Sequence, residues 1–159
     1  MIGVFIGRFQ PFHIGHYDAI NQIIQECDLV KIIIGSSNKS RTKDNPLTFE
    51  ERKKIIESQK IKNTIIFGLK DIKDDDNWCK NLLKLIGKYD IVYSNNQWVI
   101  DILKRNNVQT KKLKLNMKIS GSKIREMIAK ENKEFVKYCM FDTKKFKKYI
   151  DIIKSVYDN

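Results

Sequence analysis

Short apolar runs alternate in this sequence with stretches whose apolar residues recur every three or four positions. Ile2–Gly7 is a run of the first kind, closed by a glycine, and predicts a buried strand. Over residues 14–27, Ile14, Tyr17, Ile20, Ile23 and Ile24 keep helical spacing. Leu29–Ile34 repeats the strand signal and is closed by Gly35. Thr48 and Glu51 form a capping box, each side chain bonding the other's backbone N–H, which predicts a helix running through Ser58. Residues 64–67 predict a third strand, residues 78–86 a helix stopped at Gly87, residues 90–93 a fourth strand, and Gln97–Arg105 another helix. Residues 108–115 read as an edge-like, lysine-rich strand or extended segment. From Ser122 the pattern is helical to the end, with Phe146, Tyr149, Ile150, Ile153 and Tyr157 on one apolar stripe suited to core or subunit packing.

Strand–helix alternation at this short period implies an α/β fold, a parallel sheet with helices on both faces and a helical C-terminus. Two prolines and no Ser/Gly-rich tract leave no linker. One domain over residues 1–159 is expected, with a core at 1–118 and a C-terminal helical part at 119–159. Ligands of such sheets bind beyond the carboxyl ends of the strands.

Composition narrows the class of protein. At 42% apolar content the chain can bury a core, yet no stretch reaches the roughly 18 apolar residues of a membrane span. The first apolar run has no basic leader, so a secretory signal is not expected. A net charge of +12 attracts polyanions, but the lysines are dispersed as on a solvated surface, and no nucleic-acid-binding motif accompanies them. Cys27, Cys79 and Cys139 are odd in number and far apart, which argues against a disulfide framework or zinc site and for a reducing cytoplasm.

The chemistry concentrates after the first strand, in Gly7-Arg8-Phe9-Gln10-Pro11-Phe12-His13-Ile14-Gly15-His16. Gly7 permits a sharp exit from the strand, and Gly15 lets a phosphate approach the first helical turn. That turn is an anion site by its unpaired N–H groups. His13 and His16, the only histidines, are three apart on one helix face and can point at the same phosphate. Metal binding, general-base catalysis and a purely structural pair are the other readings. A phosphate nucleophile arrives already ionised and needs no base, so a phosphate-stabilising pair accounts best for the residues.

This string resembles the signature of the nucleotidyltransferases that carry a His-x-Gly-His motif, and is most similar to the archaeal-type nicotinamide-nucleotide adenylyltransferases. The similarity continues in order through Ile34-Gly35-Ser36-Ser37, Asn45-Pro46-Leu47-Thr48 with Glu51-Arg52, and Asp71-Ile72 with Trp78. It ends with residues 90–96 and with Ser120-Gly121-Ser122-Lys123-Ile124-Arg125. The resemblance implies a Rossmann-like doubly wound fold and a cytoplasmic, Mg²⁺-dependent, oligomeric enzyme. Its substrates are ATP and nicotinamide mononucleotide, with no part for nucleic acid or membrane and no metal ligands in the protein. By the same resemblance, Arg8, His13, His16 and Arg125 contact the ATP phosphates. Gly7, Phe9, Gly15, Ser120, Ser122 and Ile124 line the nucleotide, while Asp71, Asp75 and Trp78 recognise the nicotinamide. Independently, Ser120 or Ser122 is a plausible N-cap, and Arg125 can hold two phosphate oxygens at once. Asp74, Asp75 and Asp76 are expected to add negative potential around the nicotinamide.

The sequence departs from the family at several positions. Asp75 stands for Asn, Arg41 for His, Asn95-Asn96-Gln97 (beside Trp98) for Gly-Asn-Pro, and Ser122-Lys123 for Thr-Glu. The tail also lacks the family's paired prolines. The rival readings are a sibling enzyme acting on phosphopantetheine, FMN or glycerol phosphate, and a non-catalytic nucleotide- or nucleic-acid-binding protein.

Overall fold

A computed structural model describes residues 1–158. The strands are β1 (Ile2–Gly7), β2 (Leu29–Ile34), β3 (Thr64–Gly68), β4 (Ile91–Tyr93) and β5 (Thr110–Lys111), all parallel and ordered β3-β2-β1-β4-β5. The helices are α1 (Ile14–Glu26), α2 (Phe49–Ser58), α3 (Asp75–Ile86), α4 (Gln97–Arg105), α5 (Gly121–Ala129) and α6 (Lys147–Val156).

Strand side chains alternate between two cores, as period-two geometry requires. Phe5, Val30, Ile32, Ile34 and Tyr93 face α1, α2 and the C-terminal elements, while Val4, Ile33 and Val92 face α3 and α4. Ile124, Ile128, Phe146 and Ile153 join the first of these cores, so the C-terminal part packs on the same sheet. Lys31 is the polar exception on β2. Its ammonium donates to the carbonyls of Ile86 (2.6 Å) and Lys88 (2.7 Å), where α3 runs out of internal donors.

Helix starts follow their caps. Thr48 and Glu51 form the expected box on α2, Asn96 caps α4 and Ser120 caps α5. Gly87, at φ 62°, ends α3.

Residues 108–115 form the expected edge strand or extended segment, with the strand itself only two residues long because the Asn95 side chain occupies both backbone groups of Leu113 (2.8 and 2.9 Å). One expectation fails. The chain after α5 is not continuous helix. Lys130 ends α5, a 3-10 turn spans Lys133–Lys137, and irregular chain runs to Phe146. Tyr138 lends its carbonyl to the Ile14 N–H at the start of α1, a bond that a helical Tyr138 would have kept for its own ladder. Among the described residues no helix is long and apolar enough to cross a membrane.

Candidate active site

Strand order reverses at β1, with β2 on one side and β4 on the other. The loops leaving these strands diverge there, which opens a crevice at the carboxyl edge of the sheet. Three contiguous cavities share that edge. One, of about 190 Å³, is bordered by Gly7, His13, Gly15, His16, Ser94 and Asn96. A second, of about 180 Å³, lies among Arg8, Phe9, His16, Ser120, Ser122 and Arg125. The third, also about 180 Å³, runs between Gly7, Arg8, Ser36, Asp71, Trp78 and Trp98. A larger cavity, about 350 Å³ between α2 and the β3 edge, shares no residue with them.

The two histidines build the start of α1 as well as facing the cavities. His13 is the N-cap, its Nδ1 accepting the Gly15 N–H at 3.1 Å, and His16 Nδ1 accepts the His13 N–H at 3.1 Å. They form a capping box of imidazoles, with ring centroids 3.6 Å apart. Because each Nδ1 is an acceptor, the neutral tautomer carries its proton on Nε2, which makes that nitrogen a donor. Burial pushes the His13 pKa down to about 4. Burial and the neighbouring His13 hold His16 well below its usual value. At neutral pH the site therefore offers two uncharged N–H donors.

The ring of His13 also explains Gly15 differently from the sequence reading. A Cβ at Gly15 would lie 2.9 Å from His13 Cε1, so the glycine is required by the imidazole's seat. Phe9, at φ 54° and 1% exposed, turns its ring under the loop against His16 (4.5 Å between centroids). A Cβ at Gly7 would meet that ring at 3.0 Å.

Arg125 is 3% exposed. It donates to the Gln10 carbonyl at 2.8 Å and to Ser122 Oγ at 3.2 Å, with Asp44 Oδ1 3.7 Å away. Desolvation, with the nearby Arg8 charge, lowers its pKa. Arg8 itself is exposed and borders two of the cavities. Ser120 accepts the Lys123 N–H at 3.2 Å, which settles the N-cap in its favour over Ser122.

At the third cavity Asp71 is held by Ser36 Oγ (2.7 Å) and Lys39 Nζ (3.0 Å), both on Oδ2. Trp78 is buried and backed by the core between α3 and α4.

Two expected site residues are not brought to the cavities. Ile124 is fully buried in the first core, where its side chain packs α5, and it borders none of the three cavities. Asp75 is the first residue of α3 and does not border the cavity that holds Trp78. The other two members of the acidic run have structural contacts. Asp74 caps α3, and Asp76 binds Arg105 (3.2 Å) and Asn106 (3.0 Å) of the α4 end.

Three residues were not singled out from sequence. Arg52, fully buried, donates to the carbonyls of Thr48, Arg8, Gly35 and Ser36 at 2.8–3.1 Å and ties the β1 and β2 exit loops together. Burial, with Arg8 nearby, lowers its pKa to about 10, so it stays charged at neutral pH. Gln10 pairs both side-chain groups with the backbone of Leu47 at 2.9 Å. Trp98 stands beside Trp78. The available signals were the position of Gln10 and Arg52 inside the family blocks, and an unexpected tryptophan in a departing block.

Three of the departing residues have local explanations. Arg41 makes a two-pronged pair with Glu51 (2.7 and 3.0 Å), Asn95 holds Leu113, and Asn96 caps α4.

Comparison with known proteins agrees with this geometry. The cytidylyltransferase-like family profile matches residues 4–127. A nicotinamide-nucleotide adenylyltransferase of Methanolobus tindarius is 36% identical over 128 residues, 77% of this chain and 73% of the relative. That of Archaeoglobus fulgidus is 30% identical over 169 aligned positions, 99% of this chain and 97% of the relative. Among solved structures, a bifunctional NMN adenylyltransferase/ADP ribose pyrophosphatase from Francisella tularensis, complexed with AMP and a manganese ion, matches with a TM-score of 0.75 and 25% identity. The match covers 99% of this chain and 52% of that one, so this chain spans about half of the bifunctional protein. Taken over most of its length, the chain belongs to the nicotinamide-nucleotide adenylyltransferases of the cytidylyltransferase-like family.

Proposed function

We propose that this chain transfers the adenylyl group of ATP to nicotinamide mononucleotide, forming NAD and releasing pyrophosphate. The observation that carries the reading is the contiguity of a donor-rich cavity holding Arg125 and His16 with an aromatic cavity holding Trp78 and Asp71, joined at Arg8. In this assignment adenosine lies along Gly7 and Gly15, and the triphosphate meets Arg8, His13, His16, Ser120, Ser122 and Arg125. The nicotinamide ring lies on Trp78, because a pyridinium is drawn to an aromatic face. Asp71 Oδ1, left by Ser36 and Lys39, accepts from the carboxamide. A pyridinium with a carboxamide fits this cavity's chemistry better than a pantetheine chain or glycerol.

The mononucleotide's 5′-phosphate oxygen attacks the α-phosphorus, and the bond from that phosphorus to the pyrophosphate oxygen breaks. The nucleophile is already ionised, so no side chain needs to take a proton. The chain's contribution is to align the two phosphates and to place donors where charge accumulates on the leaving pyrophosphate. The Nε2–H groups of His13 and His16 do this as neutral donors, and Arg8 and Arg125 as charged ones. Arg52 and Gln10 act at one remove, as positioning residues for the loops that present Arg8 and Arg125.

Arginine and serine donors border the phosphate cavity, and the nearest carboxylate, Asp44, is turned to Arg125. That donor set suits a metal ion carried in on the phosphate oxygens. Mg²⁺ bound to ATP would supply further charge neutralisation on the leaving group. The same reading takes residues 1–159 as one catalytic domain, its C-terminal part contributing Ser120, Ser122 and Arg125.

The test is direct. Purified protein is mixed with ATP, Mg²⁺ and nicotinamide or nicotinic acid mononucleotide, and products are resolved by anion-exchange chromatography. Equimolar dinucleotide and pyrophosphate are expected. Pyrophosphate formed only with some other phosphate ester, or no turnover at all, would refute the assignment.

A further inference from the structure

The chain has two tryptophans, and both border the same cavity. Trp78 is its buried floor. Trp98 is of another kind. It stands in the first turn of α4, held by the Asn96 cap, and is 56% exposed, more than any other large apolar residue described. Most of this indole contributes nothing to the core, although both sides of α4 beyond it are well packed through Val99, Ile100, Ile102 and Leu103.

The two indoles form an open corner, with centroids 6.4 Å apart and planes at 46°. A flat ring stacked between parallel aromatics needs about 7 Å between them, about 3.5 Å on each side. A ring laid on Trp78 therefore meets Trp98 at an angle. A modest turn of Trp98, free on its solvent side, brings the second face parallel. The charge in the corner points the same way. The nearest carboxylate, Asp71, is already met by Lys39 at 3.0 Å. The attraction left for a flat cation comes from the two π faces.

We propose that Trp98 is a specificity residue, closing on the outer face of the mononucleotide's pyridinium and selecting the oxidised, cationic ring over the neutral dihydropyridine form. The proposal rests on the reading that the mononucleotide base enters this cavity. A ring quadrupole attracts a positive charge and gives a neutral ring only dispersion, so the second indole discriminates between the two oxidation states.

Trp98→Ala removes a mostly exposed side chain whose one aromatic contact is with Trp78, so the fold should stay intact. Its kcat and KM are measured with ATP and with oxidised and reduced nicotinamide mononucleotide. The KM for the oxidised substrate should rise about 3- to 30-fold, with kcat and the KM for ATP within about twofold. The oxidised-to-reduced ratio of kcat/KM should fall by a smaller factor, because the reduced ring loses its dispersion contact as well, and Trp98→Phe should recover part of it. Equal losses for both forms, or no loss, overturn the proposal. A second readout does not depend on turnover. In Trp78→Phe, Trp98 is the sole tryptophan, and oxidised mononucleotide without ATP should quench its fluorescence saturably. Absence of quenching in a variant that still makes NAD removes Trp98 from the site but spares the function. Absence of dinucleotide from the unaltered protein strikes the function itself.

Discussion

Replacing His13 by asparagine isolates the electrostatics of the imidazole pair. Asparagine is a good N-cap and can accept the Gly15 N–H in place of Nδ1, so α1 keeps its start. What the variant loses is a base whose pKa falls from 6.5 to about 4 on folding. Above pH 6.5 both states are neutral there and the histidine has no pH effect. As pH falls below 6.5 the unfolded chain takes up a proton that the folded chain refuses until about pH 4, so stability declines across that window. At pH 5 the gap is about 1.5 units at about 1.4 kcal/mol each, or about 2 kcal/mol. Removing His13 also removes a neighbour that disfavours protonation of His16, which reduces the variant's own acid loss and works in the same direction. Urea unfolding of both proteins at pH 8 and pH 5, followed by circular dichroism, measures this as a difference of differences in which the carboxylates cancel. The unaltered protein should lose at least about 2 kcal/mol more than His13→Asn on going to pH 5. Equal losses would mean that His13 titrates as an exposed histidine, and would remove the argument that the site works with neutral N–H donors.

Other substitutions probe the scaffold around the pair. Arg52→Ala leaves carbonyls of four residues without their buried donor and should cost about 3–5 kcal/mol in urea unfolding. Arg125→Lys keeps the charge but cannot reach the Gln10 carbonyl and Ser122 together. Its kcat should fall about a hundred- to a thousand-fold with little change in unfolding midpoint, as rapid-quench kinetics and urea titration would show. Gly15→Ala drives a methyl into the His13 ring, so both stability, by about 1–3 kcal/mol, and kcat should fall; restored stability in Gly15→Ala/His13→Asn would identify the ring as the cause.

Those parts of the fold governed by local rules were readable from sequence. The bounds of β1, β2 and α4 match expectation because each is a continuous signal ended by its own glycine or cap. Residues 130–146 misled because their apolar positions, Phe135, Tyr138 and Phe141 among them, serve an irregular segment laid on the core and no proline marks the break. Within the acidic run at 74–76, the sequence did not show that Asp74 caps α3 and that Asp76 binds the end of α4, about 30 residues away in sequence. The spacing of the histidines could not tell a shared phosphate from a shared cap. The geometry gives them the cap, with Nδ1 inward to the backbone, and leaves Nε2 free to donate.

Net charge, the most conspicuous number in the composition, was uninformative about the site, while its division between arginine and lysine is not. Of 31 basic residues only Arg8, Arg41, Arg52, Arg105 and Arg125 are arginine. Arg52 and Arg125 are the two buried guanidinium groups, Arg41 grips Glu51 with both nitrogens, and Arg105 reaches Asp76 through two donors. Lysines cover the exterior, where a mobile point charge suffices, and Lys31 is the only one that is buried. A planar fork loses less freedom for each bond it makes, so a chain built largely with lysine keeps arginine where several acceptors must be held at once. Arg8 alone has no fixed acceptor for its side chain among the described contacts, and it borders both the phosphate cavity and the aromatic one. On the logic of the other four, the role we propose for its fork is to hold oxygens that arrive with the substrates.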